Sequence, residues 1–385
     1  MSASASTSPS PSRLPDVIVV GGGIVGTSTA AFLAEAGARV LLVERDGLAS
    51  GASGANSGVV QHPFDPVMAQ LYRASLGLYR ELAATSNMFT IGAEPAGMLY
   101  VSTDEAAARR QAALVDGPFP ELGAGVVGGD ELRAVEPALA SGLWACRVPI
   151  GFPVAPGSGT YAYATRAEAR GVAVRVGRAA SLEVAGDEVV GVRVDGRLVP
   201  GGAVVAATGP WTPALLDPTG RWTPIAPLWG VVVETEDTGA PRHVLEEAGI
   251  EGVLDSGGEE ESSSAEFSYV PQVGAGSVGS TFLPDEPDPE AWVERILVRA
   301  MRFVPAIGDA PIRGVRCCPR PQSADGRPLI GAVPGLRNAF VCAGHGPWGV
   351  STGPGSARLV ADLVLGRLPD IPSELDPARF GAPRG

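Results

Sequence analysis

Val17-Ile18-Val19-Val20-Gly21-Gly22-Gly23-Ile24-Val25-Gly26 decides the fold. Four apolar, branched residues in a row suit a strand buried on both faces of a parallel sheet. Three glycines break that run. Ile24, Val25, Ala30, Phe32, Leu33 and Ala36 then continue as a helix that stops at Gly37. Val40-Leu41-Leu42-Val43 is a second buried strand and ends on Glu44. Strand, helix and strand in about 30 residues form a β-α-β unit. Within it, Gly21-x-Gly23-x-x-Gly26 sits where a dinucleotide needs it. The first glycine permits the tight turn, the second admits a pyrophosphate to the backbone, and the third lets helix and strand pack closely. The helix N-terminus offers unpaired N–H groups to the anion. Glu44 accepts from ribose hydroxyls and repels a 2′-phosphate, which disfavours NADP.

Outward from this unit the same pattern returns twice. Ala203 to Ala207 reads as a third buried strand, halted by Thr208-Gly209-Pro210. Ala339 to Ala343 reads as a fourth and meets the loop Gly344-His345-Gly346-Pro347-Trp348-Gly349, with a helix expected from about Pro354 to Leu365. Between these pieces lie sheet-rich segments: a meander from Val172 to Val199, strands near Trp229 to Thr235 and Tyr269 to Phe282, and an acidic loop from Asp255 to Glu266. The expected architecture is α/β, a Rossmann-like, mostly parallel domain interleaved with an antiparallel-sheet substrate domain. The first takes residues 16–85, 146–216 and 312–370, and the second takes 86–145 and 217–311. Residues 1–15, rich in Ser, Ala and Pro, are expected as a disordered tail, and 371–385 as a second loose tail.

A chain of 385 residues has room for two domains, because single cores stop growing near ~250–300 residues. A net charge of −13 without any basic run excludes a nucleic-acid partner and disfavours an anionic membrane surface. No stretch approaches the ~18 apolar residues that span a bilayer. Four cysteines without a Cys-x-x-Cys pair, and only three histidines, argue against a metal site. The expectation is a reduced, cytoplasmic chain, with homo-oligomerisation left open.

Arg320-Pro321-x-x-x-Asp325-Gly326-x-Pro328-x-Ile330-Gly331, followed by Gly344-His345-Gly346, resembles the D-amino-acid-oxidase-like FAD-dependent family, closest to its glycine oxidase and monomeric sarcosine oxidase branch. Ser50-Gly51-Ala52-Ser53 and Ala207-Thr208-Gly209 fit the same pattern, and the likeness runs from Asp16 to Gly366. The resemblance implies FAD held by Gly21, Gly23, Ile24, Val25 and Gly26, with Glu44 and Arg45 beyond them. It adds Ser50, Ala52 and Ser53, then Asn56, Ser57 and Gly58. The backbone of Ala180 stands at the adenine-contacting position, and Thr208, Gly209 and Trp211 belong to the same set. Gly344, His345, Gly346, Pro347, Trp348, Gly349 and Val350 would wrap the isoalloxazine ring.

Family members oxidise a carbon–nitrogen bond. A hydride passes to flavin N5, and the imine then hydrolyses. The implied substrate is a small amino acid or secondary amine, with oxygen or another acceptor taking the electrons. Arg320 matches the arginine that grips the substrate carboxylate in glycine oxidase. Tyr269 stands near a substrate-contacting tyrosine, but a one-residue shift relative to Pro271 would turn it to the opposite face of a strand. Cys318 holds the position from which sarcosine oxidases attach FAD covalently. Those enzymes carry a tyrosine where Arg320 stands here, so a small buried thiol and non-covalent flavin are expected. Ala55 occupies the place of the flavin-linking histidine of sarcosine dehydrogenases. Trp348 replaces the lysine by which sarcosine oxidases promote reaction with oxygen, so it is grouped with Arg320 and Tyr269 as bearing on catalysis. Two other readings share these motifs: a 2-hydroxy-acid or polyol dehydrogenase, and an FAD-holding subunit of a heteromeric amine dehydrogenase.

Overall fold

A computed structural model describes residues 14–237, 241–249, 265–368 and 370–383. The chain has an α/β fold built around two large sheets. Six strands form the first, in the order Leu329–Ala332, Ala339–Ala343, Ala203–Ala206, Val17–Val20, Val40–Val43 and Ala173–Arg175. All pair in parallel except Leu329–Ala332, which runs against its neighbour. The unbroken Val/Ile/Leu runs are explained by burial on both faces. Val17 and Val19 point into one core, beneath the helices Ile24–Glu35, Pro66–Thr85, Ser158–Glu168 and Gly349–Val364. Ile18 and Val20 point into another, against Val189, Val192 and Val194 of a three-stranded meander over residues 180–200. Period-two alternation therefore divides one strand between two cores.

Eight strands form the second sheet: Ile312–Ser323, Ile225–Glu236, Ala275–Gly279, Ser268–Gln272, Val244–Glu247, Met98–Ser102, Trp144–Val148 and Gly125–Gly128. Its pairings are antiparallel save for Val244–Glu247 beside Met98–Ser102. One face packs on the helix Glu290–Met301 through Ile296 and Ala300. Two expected boundaries move. Residues 146–148 and 312–323, placed by sequence with the dinucleotide layers, belong to this sheet. The long strand Ile312–Ser323 pairs along nearly all of Ile225–Glu236, setting Arg320 opposite Leu228 and Cys318 opposite Gly230.

The C-terminal segment is not loose. Leu375 is buried, and its carbonyl accepts from the Ile330 N–H at 2.8 Å. Arg379 grips both oxygens of Asp325 at 2.7 and 3.1 Å and donates to the carbonyls of Arg327 and Pro328. A short apolar anchor and one bidentate arginine thus dock residues that composition marks as a tail. The expected N-terminal tail, apart from Leu14 and Pro15, lies outside the described residues, as does the 255–266 loop apart from Ala265 and Glu266. Among the described residues no helix is long and apolar enough to cross a membrane.

The last long helix begins at Gly349, one turn before the expected start, and carries Pro354 inside it. A proline lacks the N–H that would bond four residues back, to Val350. Tyr79 repairs the gap by donating its hydroxyl to the Val350 carbonyl at 2.7 Å, and the Gly355 N–H donates to Ser75 Oγ at 2.8 Å. Tyr79→Phe keeps the ring stacked on Phe89 but strips the carbonyl of its donor. The cost expected for a buried unsatisfied acceptor is about 1–3 kcal/mol. Equilibrium denaturation should show it as an earlier midpoint, and an unmoved midpoint would dismiss this repair.

Candidate active site

Glycine geometry builds the head of the site. Gly21 has φ +114°, and a side chain there would strike the Ala207 carbonyl. A Cβ on Gly26 would overlap the carbonyl oxygen of Gly21. Helix and strand therefore approach as closely as backbone allows. Gly23 gives the helix no side-chain cap, and the first turn holds no acidic residue. Ser53 Oγ accepts the Ile24 N–H at 2.9 Å, while Glu44 accepts from Gly22 N at 2.6 Å and Asp46 N at 2.7 Å. Asn56 closes the short helix Ala52–Ala55, donating to the Ala52 and Ser53 carbonyls and accepting from Gly58 N.

A cavity of about 480 Å³ runs from this loop to the eight-stranded sheet. Gly21, Gly23, Ile24, Val25, Glu44 and Arg45 line it, with Ser50, Ala52, Ser53, Asn56 and Ser57. Ala180, Thr208, Gly209 and Trp211 join them, as do Cys318, Arg320 and the loop from His345 to Val350. Arg45 stacks over Trp211 at 4.6 Å. Three expected glycines do not line the cavity. Gly26 acts through packing, Gly58 lends its carbonyl to Val154 N and Gln272 Nε2, and Gly344 turns the chain at φ +84°.

Tyr269 requires a correction. It is buried in the core beneath Glu290–Met301, its hydroxyl against Gly276 without a hydrogen-bond partner. Its neighbour Ser268 faces the cavity instead. Strand alternation is the reason, and it also sends Leu245 inward and Glu246 to the cavity. Sequence reading missed Gln61, Glu246, Ser280 and Phe282, which also line the cavity. They arise from three separated segments with no local signature, and only the tertiary fold brings them together.

Arg320 lies flat across Gly230, where any side chain would collide with its guanidinium. It donates to the Thr281 carbonyl at 2.8 Å and to Ser280 Oγ at 2.6 Å, and sits 4.6 Å from the Phe282 ring centre. No carboxylate among the described residues pairs with it. Burial lowers its pKa from the ordinary arginine value, but the group stays a cation. The Cys318 thiol is buried and its pKa raised by that burial, with Arg320 and Arg316 pulling the other way. His345 is buried and pulled down to about 4 by desolvation, so its ring is neutral at physiological pH, and its Nε2 has no partner. Trp348 is half-buried at the cavity wall. All 29 basic residues of the chain are arginine, so no lysine is present anywhere; that much was countable from the sequence.

The chain belongs to the family described as FAD dependent oxidoreductase, which matches residues 16–363. A glycine oxidase of Pseudomonas aeruginosa is 28% identical over 96% of this chain and 98% of its own length. The solved glycine oxidase of Bacillus cereus superposes with a TM-score of 0.79 at 27% identity, over 92% of this chain and 96% of that one. The glycine oxidase of Geobacillus kaustophilus, at 24% identity, shares the fold with a TM-score of 0.81 over 96% of this chain and 99% of its own. FAD is the cofactor of this oxidoreductase, and the residues present fit it. The glycine loop has no room for side chains, the first turn of the helix carries no acidic residue, and an orphaned imidazole nitrogen and an arginine without a counter-ion border the same cavity. A Cβ at residue 23 would already press on Ser53 Oγ at 2.9 Å, displacing the Ile24 cap. Gly23→Val should therefore give folded, colourless protein; flavin absorbance at the wild-type level would refute this assignment of the loop.

Proposed function

We propose that the chain oxidises the carbon–nitrogen bond of a small amino acid or secondary amine bearing a carboxylate. One observation carries the reading: Arg320, a cation in a partly apolar cavity, is bonded only to neutral acceptors. An uncompensated charge in such a place costs several kcal/mol unless a ligand neutralises it. A carboxylate does so with matching planar geometry. Ser280 and Thr281 hold the guanidinium in place before substrate arrives, so little of its freedom is lost on binding. Phe282 supports its face, while Phe282 and Trp348 keep water from the reacting carbon. Bound FAD supplies the two-electron acceptor. The neutral His345 leaves no charged imidazole beside the substrate, which suits an amine that binds without its extra proton. All four cysteines are unpaired, in keeping with a reducing compartment such as the cytoplasm.

A carboxylate on Arg320 serves a 2-hydroxy acid as well as an amino acid. A panel of amines, amino acids and hydroxy acids mixed with the enzyme under nitrogen, and followed by flavin bleaching, separates the two. Bleaching by hydroxy acids alone would reject the amine reading. Arg320→Ala should weaken the best carboxylate substrate by about 2–5 kcal/mol in kcat/KM, with FAD content unchanged. Unaltered kcat/KM would show that Arg320 does not touch the substrate.

The oxidant follows from charge. Oxygen takes its first electron through an anionic state that a nearby cation stabilises. Trp348 carries none, and the chain has no lysine to replace it. Reoxidation by air is expected to be slow, with a quinone or phenazine dye outpacing it on the same substrate. Trp348→Lys should speed reoxidation when reduced enzyme is mixed with oxygenated buffer. Fast wild-type reoxidation would show that Arg320 or another cation in the cavity serves in place of the lysine.

A further inference from the structure

One wall of the cofactor cavity is held in place by the other sheet. Asn56, Ser57 and Gly58 follow the short helix Ala52–Ala55, and Asn56 and Ser57 line the cavity. The Asn56 side chain fixes this loop from within. Two side chains of the eight-stranded sheet hold it from outside. Gln272, at the end of the strand Ser268–Gln272, donates from Nε2 to the Gly58 carbonyl at 3.1 Å. Arg316, on the strand Ile312–Ser323, donates from its guanidinium to the Asn56 carbonyl at 3.4 Å. Neither Gln272 nor Arg316 lines the cavity itself.

Alternation and pairing aim the arginine. Val315 and Cys317 pack toward the core under Glu290–Met301, so Arg316 stands on the opposite face with Cys318 and Arg320. Its guanidinium pairs with Glu234 and donates to Ser277 Oγ at 2.8 Å, so two neighbouring strands orient it. Gly58 is equally constrained. It has φ +87°, and a side chain there would strike the Val154 carbonyl and the Gln272 amide. The consequence lies in the peptide between Asn56 and Ser57. A trans peptide sets its C=O and N–H on opposite sides. With the Asn56 carbonyl turned to Arg316, the Ser57 N–H points the other way, to the side on which Ser57 lines the cavity. Among the described residues nothing accepts that N–H. A guanidinium on the carbonyl also polarises the peptide and makes its N–H the stronger donor.

We infer that Arg316 and Gln272 are positioning residues, which fix the loop Asn56–Gly58 from the substrate sheet so that the Ser57 N–H donates to the isoalloxazine ring of bound FAD. Neither side chain touches the cofactor. The ring is the part of FAD that must stand at the sheet end of the cavity, beside Arg320, and this loop is the one bonded to that sheet. The inference therefore rests on the reading of Arg320 as the substrate anchor, and not on which bond is oxidised. It gives the strand Ile312–Ser323 two tasks, since the strand that carries Arg320 also steadies a wall of the cofactor site.

The FAD-loaded enzyme tests it without substrate. Gln272→Met keeps the length of the side chain and removes its donor. Arg316→Lys keeps the charge beside Glu234 but loses the fork that serves three acceptors at once. In each variant FAD should dissociate more readily on dilution, followed as recovered flavin fluorescence, by between about threefold and tenfold, the ratio for one lost hydrogen bond. The visible absorbance band of the flavin still bound should shift as well, because the N–H acts on the ring. Wild-type FAD affinity, or an unmoved band, in both variants overturns the inference. So does a lowered thermal midpoint with affinity and band unchanged, which is what packing alone would give. If Arg316→Lys does not fold, Gln272→Met, at a half-buried position, decides by the same two readings. Both changes appearing in an enzyme that no amine bleaches would reject the proposed reaction and leave the role of these two residues standing.

Discussion

The carbonyl oxygen of Gly21 occupies the space that a side chain on Gly26 would need. Everything at the head of the site depends on that contact. Because neither residue carries a Cβ, the first turn of the helix sits directly on the end of the first strand, and its N–H groups open onto the cavity. The contact continues outward. Gly21 also abuts the Ala207 carbonyl, so the neighbouring strand Ala203–Ala206 must end at the same level. Two strand ends and one helix start are thereby drawn to a common edge, the carboxyl edge of a parallel sheet, where such folds bind their ligands.

The other end of the cavity is governed by a second missing side chain. Gly230 lets Arg320 cross its own neighbouring strand and present its guanidinium two strands away, beside Ser280. An arginine standing upright on Ile312–Ser323 would meet the cavity near Cys318 and leave the middle of the sheet bare. Lying flat, it places charge over the central strands and keeps its methylenes against the sheet. One glycine thus decides where the guanidinium lies on the cavity wall.

The β-α-β unit, the third and fourth buried strands and the C-terminal glycine loop were legible because each is a local pattern: an apolar run, a glycine break and a periodic helix. Arg320 was legible for a different reason, its place in a motif shared with a family. What stayed hidden is what depends on pairing. The strand Ile312–Ser323 contains Arg-Cys-Cys-Pro-Arg-Pro, which has no apolar alternation to show which sheet it joins. Glu246 and Ser268 follow ordinary strand patterns, and only their register across from each other makes them a wall of one cavity. Tyr269 shows the converse. The one-residue shift against Pro271 already argued that its ring faces away, and alternation carries it into the core.

Charge placement in the cavity follows one economy of residue types. Three cations line it, all arginine: Arg45 and Arg178 beside Glu44, and Arg320 on the sheet. Arg45 is paired with Asp46 and stacked on Trp211, and Arg178 is paired with Asp195. Arg320 is therefore the one lining cation without a protein carboxylate among the described residues. The end of the cavity beside Trp348 has only a neutral His345, the start of the helix Gly349–Val364 and no formal positive charge of its own. A helix terminus offers about half an elementary charge, spread over several N–H groups. That suffices to favour an anion held in place, yet it is weaker than an ammonium aimed at a small diffusing one. In the proposed reaction, binding and electron delivery make separate demands on charge; arginine would meet the first, and at the Trp348 end a dipole would meet the second.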